Sequence, residues 1–311
     1  MSNITIANNP EVRTSTWRNI GTDVTEAKSF DEVMTLAGLD FEVEKRPIYT
    51  TDKDGNQREI KWSMSTVRKD TDEIMGVVGS KYEVCQNRDA FDFINYIDED
   101  MHFEKAGITE GGMVYVIGSL PDVSILGDTF KPHLIFQNGF NGGYTIKSAI
   151  CPLRIVCQNQ FNMAFRGADN SVSIRHSRSM DVKMEEAREV LRANADYMKK
   201  VNGLAEDMFS KKLTSAQVMK VINTMFPIKE EMTDLQKSRI EEQRNKMMFM
   251  YNAEDNRNFR GTAWGAVNAY ADYLTHAEPM RLTQNYEENH FVKSISSSTD
   301  MGKFIEIAKA V

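Results

Sequence analysis

The chain has 311 residues, 41% hydrophobic and 27% charged, with a formal net charge of −7. That composition is one of a folded globular protein rather than a disordered or fibrous one, and no apolar run approaches the length of a membrane span. The acid excess argues against a general polyanion binder, but it is uneven: residues 131–183 carry seven Lys and Arg against two Asp and Glu. Cys85, Cys151 and Cys157 show no CxxC pairing and read as reduced structural thiols. The opening MSNITIANNPEVRTSTW lacks the basic and apolar regions of a secretory signal, so the expected location is the cytoplasm.

Residues 1–28 read as an N-terminal arm. Ser29-Phe30-Asp31-Glu32 is a capping box opening a short helix that ends at Gly38. A strand follows from Phe41 to Thr50, then a hairpin turn at Asp52-Lys53-Asp54-Gly55-Asn56. Ile60, Trp62, Met64 and Thr66 alternate along a second strand, and Ile74 to Val84 forms a third. Asn87 then caps a helix carrying Ala90, Phe91, Ile94 and Ile97. The order is β-β-β-α, with antiparallel strands.

A second β region begins at His102. Its strands are Met113–Ser119, Thr129–Gln137 and Tyr144–Ala149, turned at Gly111-Gly112, Gly127-Asp128 and the Asn138–Gly143 loop. Pro152 suits the first turn of a helix, which would bury Leu153, Val156, Cys157 and Ala164 on one stripe. Val172 to His176 reads as one more short strand. After residue 180 the patterning becomes helical. Met184, Ala187, Leu191, Ala195 and Met198 stripe a helix ending near Gly203, and Thr214 and Thr233 open capping boxes. Phe259 to His276 reads as the last helix, with residues 282–300 as an irregular loop. The expected class is α+β: an antiparallel, β-rich domain over residues 29–180 with a β-β-β-α core, then a helical region over residues 181–311.

No phosphate loop, nucleophile elbow or paired-histidine spacing occurs, and the pattern implies no catalytic residue, metal or cofactor. Binding has more support. Lys147, Arg154, Arg166, Arg175 and Arg178 cluster in sequence with Phe140, Tyr144 and Phe165, and with the amides Gln158 and Asn159. Cations that track phosphates beside aromatic faces on which bases stack are what a single-stranded nucleic acid site needs. The same residues would equally serve an ordinary core with a solvated outer face.

Arg154-Ile155-Val156-Cys157-Gln158-Asn159 is similar to the RVVCQNT signature of a phage- and plasmid-borne family, the phage/plasmid-like proteins of domain of unknown function number nine-three-two. Gly76-Val77-Val78-Gly79-Ser80-Lys81-Tyr82, Ile174-Arg175-His176-Ser177 and Gly261-Thr262-Ala263-Trp264-Gly265-Ala266-Val267-Asn268-Ala269 also resemble that family. Gln160 departs from it, standing where Thr is usual. The family carries no established activity. In element order alone, β-β-β-α also resembles the core of Rad-fifty-two-type single-strand annealing proteins. These likenesses imply a non-enzymatic, homo-oligomeric protein that binds or anneals single-stranded DNA in recombination or replication, in the host cytoplasm. The alternative is an accessory protein that acts on a host or phage protein by direct contact, such as a host-defence antagonist.

Overall fold

The computed structural model describes residues 15–92, 94, 101–156, 158–160, 171–177, 194–277, 283–295 and 299–311. In chain order these form β1 (Thr22–Asp23), α1 (Phe30–Leu36), β2 (Val43–Thr51), β3 (Gln57–Arg68), β4 (Ile74–Gly79), α2 (Asn87–Phe91), β5 (His102–Ile108), β6 (Met113–Ser119) and β7 (Val123–Ile125). Next come β8 (Asp128–Gly139), β9 (Ile146–Arg154), β10 (Asn159–Gln160) and β11 (Ser171–Ile174). The helical half holds α3 (Asn194–Ser210), α4 (Ser215–Met225), α5 (Asp234–Tyr251), a 3-10 turn (Glu254–Phe259), α6 (Ala263–His276), α7 (Tyr286–Ile295) and α8 (Thr299–Ala310). The class is α+β, with antiparallel sheets in the N-terminal half and helices in the C-terminal half.

The larger sheet runs β1-β5-β6-β8-β9-β10, with β7 paired to β8 and β11 to β9. Alternation along its strands divides the core in two, because successive side chains point to opposite faces. Val114, Val116, Leu134, Phe136, Ile146 and Ile150 join the large cluster that also holds α1, α2 and the C-terminal helices. Met113, Tyr115, Ile117, Ile135, Cys151 and Leu153 point the other way, where Trp17, Ile20 and Phe291 cover them. The large cluster extends from Val24 to Ala308, so strands and helices share one core across the change of patterning near residue 180.

The small sheet runs β2-β3-β4. Its hairpin closes as the sequence implies: the Asp52 carboxylate accepts from the Asp54 and Asn56 amides, and Gly55 takes a φ of +87°. One face of this sheet rests on the turn between β8 and β9. A Cβ on Gly76 would lie 2.5 Å from the Asn141 Cα, which reserves that position for glycine. The Thr66 hydroxyl donates to the Phe140 carbonyl at 2.7 Å across the same contact.

The Ser29, Thr214 and Thr233 caps are present, the last two as full capping boxes with Gln217 and Gln236. Asn87 differs from its expected role: Gln86 occupies the cap position, and Asn87 is buried. Its side-chain amide donates to the Leu39 carbonyl at 3.0 Å, and its oxygen accepts from the Asn138 amide at 3.0 Å.

Further expectations are overturned. Pro152 does not open a helix; it lies within β9, directly opposite Pro132 of β8. Two facing prolines fit a non-hydrogen-bonded pair, where neither nitrogen has to donate to the other strand. Eight of the nine β9 residues are buried, so the strand lacks the polar alternation that marks a half-exposed one. Residues 282–300 are not an irregular loop either, since they contain α7 and the start of α8. The helix that was expected to end near Gly203 continues to Ser210, and β5 is a strand that the turn signals did not delimit. Ile97, Cys157 and residues 161–170 lie outside the described residues. No helix among the described residues is long and apolar enough to cross a membrane.

Candidate nucleic-acid interface

Among the described residues, the candidates of the central segment are distributed rather than lined along one groove. Arg154 ends β9 with only 2% of its surface exposed. Its Nε donates to Asp128 Oδ2 at 2.5 Å and its Nη2 to the Asp255 carbonyl at 2.8 Å, and the guanidinium sits 5.2 Å from the Phe259 ring centre. Arg154 therefore ties the sheet to the 3-10 turn from inside, a consequence of Pro152 continuing the strand. Phe140 is fully buried against Phe41, ring centres 5.9 Å apart, so neither residue offers a face to a strand of nucleic acid.

Lys147 and Arg175 do come near each other. Lys147 pairs with Ser173 across β9 and β11, and exposed Arg175 follows two residues later. Burial lowers the Lys147 amine below its ordinary value. Tyr144 is half-buried, packed against Gly139 beside the cluster around Trp17. Gln158 takes a left-handed φ of +56° and returns its side-chain amide to the Ile155 carbonyl; Asn159 begins β10. Arg166, Phe165 and Arg178 lie outside the described residues.

His176 closes this edge. Its ring stacks on Tyr82 at 4.7 Å, Nδ1 lies 3.2 Å from the Glu83 carbonyl, and Nε2 is buried with no hydrogen-bond partner among the described residues. Burial lowers its pKa below the ordinary 6.5, only partly offset by the carbonyl. Between the lowered folded value and 6.5 the unfolded chain binds more protons, so stability falls as pH drops through that window. The melting temperature followed from pH 7.5 to 5 (roughly the span in which histidines titrate) is expected to show this step in the wild type, and His176→Phe is expected to flatten it.

A second constellation, which the sequence reading missed, lies in the helical half. Arg239, Glu242, Gln243 and Lys246 follow one another at i, i+3, i+4 and i+7 on one face of α5. Tyr273 comes from α6, and Tyr286, His290 and Lys293 share a face of α7 at i, i+4 and i+7. These faces converge on a cleft of about 320 Å³. The opposite face of α7 holds it to the larger sheet: Phe291 is fully buried against Tyr115, ring centres 5.0 Å apart, and the Glu288 carboxylate accepts from the Glu110 amide at 2.7 Å. One helix thus joins the second face of the sheet to the wall of the cleft.

The walls are fixed by packing. Tyr273 is braced by Tyr270, which stacks on Phe304 at 4.3 Å, and by Phe226 at 5.3 Å. Burial, with Glu242 nearby, raises the Tyr273 phenol above its ordinary value against a hydrogen bond from Gln243. Tyr286 stacks on His290 at 5.3 Å, and His290 Nε2 lies 3.1 Å from the Leu274 carbonyl. Among the described lining residues, three cations, Arg239, Lys246 and Lys293, face one carboxylate, Glu242, which is 2.9 Å from Lys246. A mouth with a cationic surplus over rigid aromatic walls, at a volume near the lower end for ligand clefts, suits an anion carrying a planar ring. Among the described residues, no three His, Cys, Asp or Glu side chains gather as metal ligands would.

A family model described as Domain of unknown function (DUF932) matches residues 74–295, which takes in β4, the strands β5 to β11 and the three helices of the cleft. No curated protein and no solved structure matches the chain.

Proposed function

For a chain that belongs to the DUF932 family, we propose a non-catalytic role in binding single-stranded nucleic acid, as an accessory to recombination or replication through strand binding and annealing. The observation that carries this reading is the cleft between α5, α6 and α7. Arg239, Lys246 and Lys293 would meet phosphates there, and Tyr286 and His290 would offer a stacked ring pair to a base. Lys147 and Arg175 add cations at the β9–β11 edge. The acidic balance of the whole chain makes the local arrangement decisive, since steering depends on the field at the site more than on the net charge.

The reading is tested by titrating a labelled single-stranded oligonucleotide at several salt concentrations. Affinity is expected to fall with salt at a log–log slope of about −0.7 per neutralised phosphate. Lys246→Ala and Lys293→Ala should each flatten that slope by about one contact. Tyr286→Ala should cost about 1–3 kcal/mol while leaving the slope unchanged. Absence of binding at ~50 mM salt, where phosphate contacts are strong, would refute it. The alternative reading, an accessory protein acting by contact with a host or phage protein, draws on a different observation: Tyr49, Trp62, Ile74 and Val77 of the small sheet are all more than half exposed.

A further inference from the structure

We infer that Glu242 makes the helical cleft selective for guanine, by accepting from two adjacent N–H groups on the edge of that base. The inference rests on strand binding at this cleft and adds which base the cleft takes. A carboxylate is out of place in a site built only for phosphates, because it repels them and weakens the positive field. Glu242 nonetheless stands at the centre of the α5 wall, one turn after Arg239 and one turn before Lys246. Its ion pair with Lys246 uses Oε1, at 2.9 Å, and leaves the Glu242 side chain 54% exposed. An exposed pair of this kind contributes little to stability, so folding gives only a weak reason for an acid at this position.

The aromatic wall fixes which part of a base meets that carboxylate. Tyr286 and His290 lie one turn apart on α7, with ring centres 5.3 Å and planes 26° apart, so they stack along the helix axis. The His290 ring is held by the Leu274 carbonyl, 3.1 Å from Nε2. A base that continues this stack turns its edge, not its face, across the cleft to α5. The volume of about 320 Å³, near the lower end for ligand sites, suits one nucleotide rather than a stacked run. A carboxylate offers two oxygens that accept and none that donates. Among the four DNA bases, guanine alone sets two N–H donors side by side, N1–H and the N2 amine, and so meets both oxygens at once. Adenine and cytosine each place a ring-nitrogen lone pair beside their amine, and thymine flanks its one N–H with two carbonyls. Each of those three turns a lone pair toward one carboxylate oxygen.

The test is fluorescence anisotropy of the full chain with labelled thymidine oligonucleotides of one length, either unmodified or carrying one central guanine, hypoxanthine or adenine. Wild type is expected to bind the guanine strand about tenfold more tightly than the all-thymidine strand, within the range of one bidentate base contact. Hypoxanthine keeps N1–H but lacks the N2 amine and should fall between, with adenine near the all-thymidine strand. Glu242→Gln and Glu242→Ala, each shown by its melting curve to be folded, should lose the preference through two effects of opposite sign. Both should bind the all-thymidine strand more tightly than wild type does, because a repelling charge has left the cleft, and the guanine strand less tightly. A purely structural role for Glu242 would move all four strands together. A guanine preference that survives in either variant, or a wild type that binds all four strands alike, would overturn the inference and leave strand binding standing. A wild type that binds none of them would remove both.

Discussion

Replacing Arg154 with Ala should destabilise the protein by about 3–5 kcal/mol, the range for leaving one half of a buried ion pair without its partner. The guanidinium is almost wholly enclosed, and its removal takes a donor from the Asp128 carboxylate, 15% exposed, and from the Asp255 carbonyl. Asp128 opens β8 and Asp255 lies in the 3-10 turn, so one side chain fastens the sheet to the helical half. Arg154→Lys keeps the charge without the planar fork and should fall between wild type and Ala. A urea titration reads all three, and an Arg154→Ala midpoint within error of wild type would contradict the account. Because the expected loss is of folding, weakened oligonucleotide binding in Arg154→Ala would say nothing about a phosphate contact at this residue.

Gly265→Ala should cost about 3 kcal/mol, the upper part of the usual range for overpacking. A Cβ at Gly265 would stand 2.2 Å from the Phe259 carbonyl oxygen and 2.7 Å from its carbon, both backbone atoms that cannot swing aside. The position is held from two further directions. The Thr262 hydroxyl accepts from the Gly265 amide at 3.0 Å, and the Asn256 side chain donates to its carbonyl at 3.0 Å. Gly203, in the middle of α3, has nothing within 4 Å of its would-be Cβ. Gly203→Ala should therefore stabilise the protein by about 0.4–1 kcal/mol, through the lower entropy of the unfolded chain. Thermal melts of the two variants moving in the same direction would count against this reading of the α6 entry.

What was legible in the sequence was local. Thr214 and Thr233 form their capping boxes with residues three positions on, the Asp52 turn closes on itself, and Met113–Ser119 is a strand with the bounds its pattern implies. Pro152 misled because a proline in a buried central strand is rare, and its tolerance here depends on Pro132, which only the pairing of β8 with β9 brings opposite. Arg154 reads as a surface cation in the sequence because one of its acceptors lies 101 residues away. The cleft was missed for a similar reason. Tyr286, His290 and Lys293 have helical spacing, and Glu287 and Glu288 in the first turn with Lys293 in the last mark a helix, against the irregular loop expected there. Even with α7 identified, its meeting with Arg239 and Lys246 of α5 is a tertiary fact that no local pattern carries.

The most direct test of the central claim, that this protein binds single-stranded nucleic acid through the helical cleft, is fluorescence anisotropy with a labelled oligonucleotide. Wild type would be compared at low salt with Lys246→Glu/Lys293→Glu and with Lys147→Ala/Arg175→Ala, each shown by its melting curve to be folded. Wild type is expected to bind, the cleft reversal to lose at least about two phosphate contacts' worth of salt-dependent affinity, and the β9–β11 pair to lose less. A wild type that does not bind, or a cleft reversal that binds as wild type does, would contradict it.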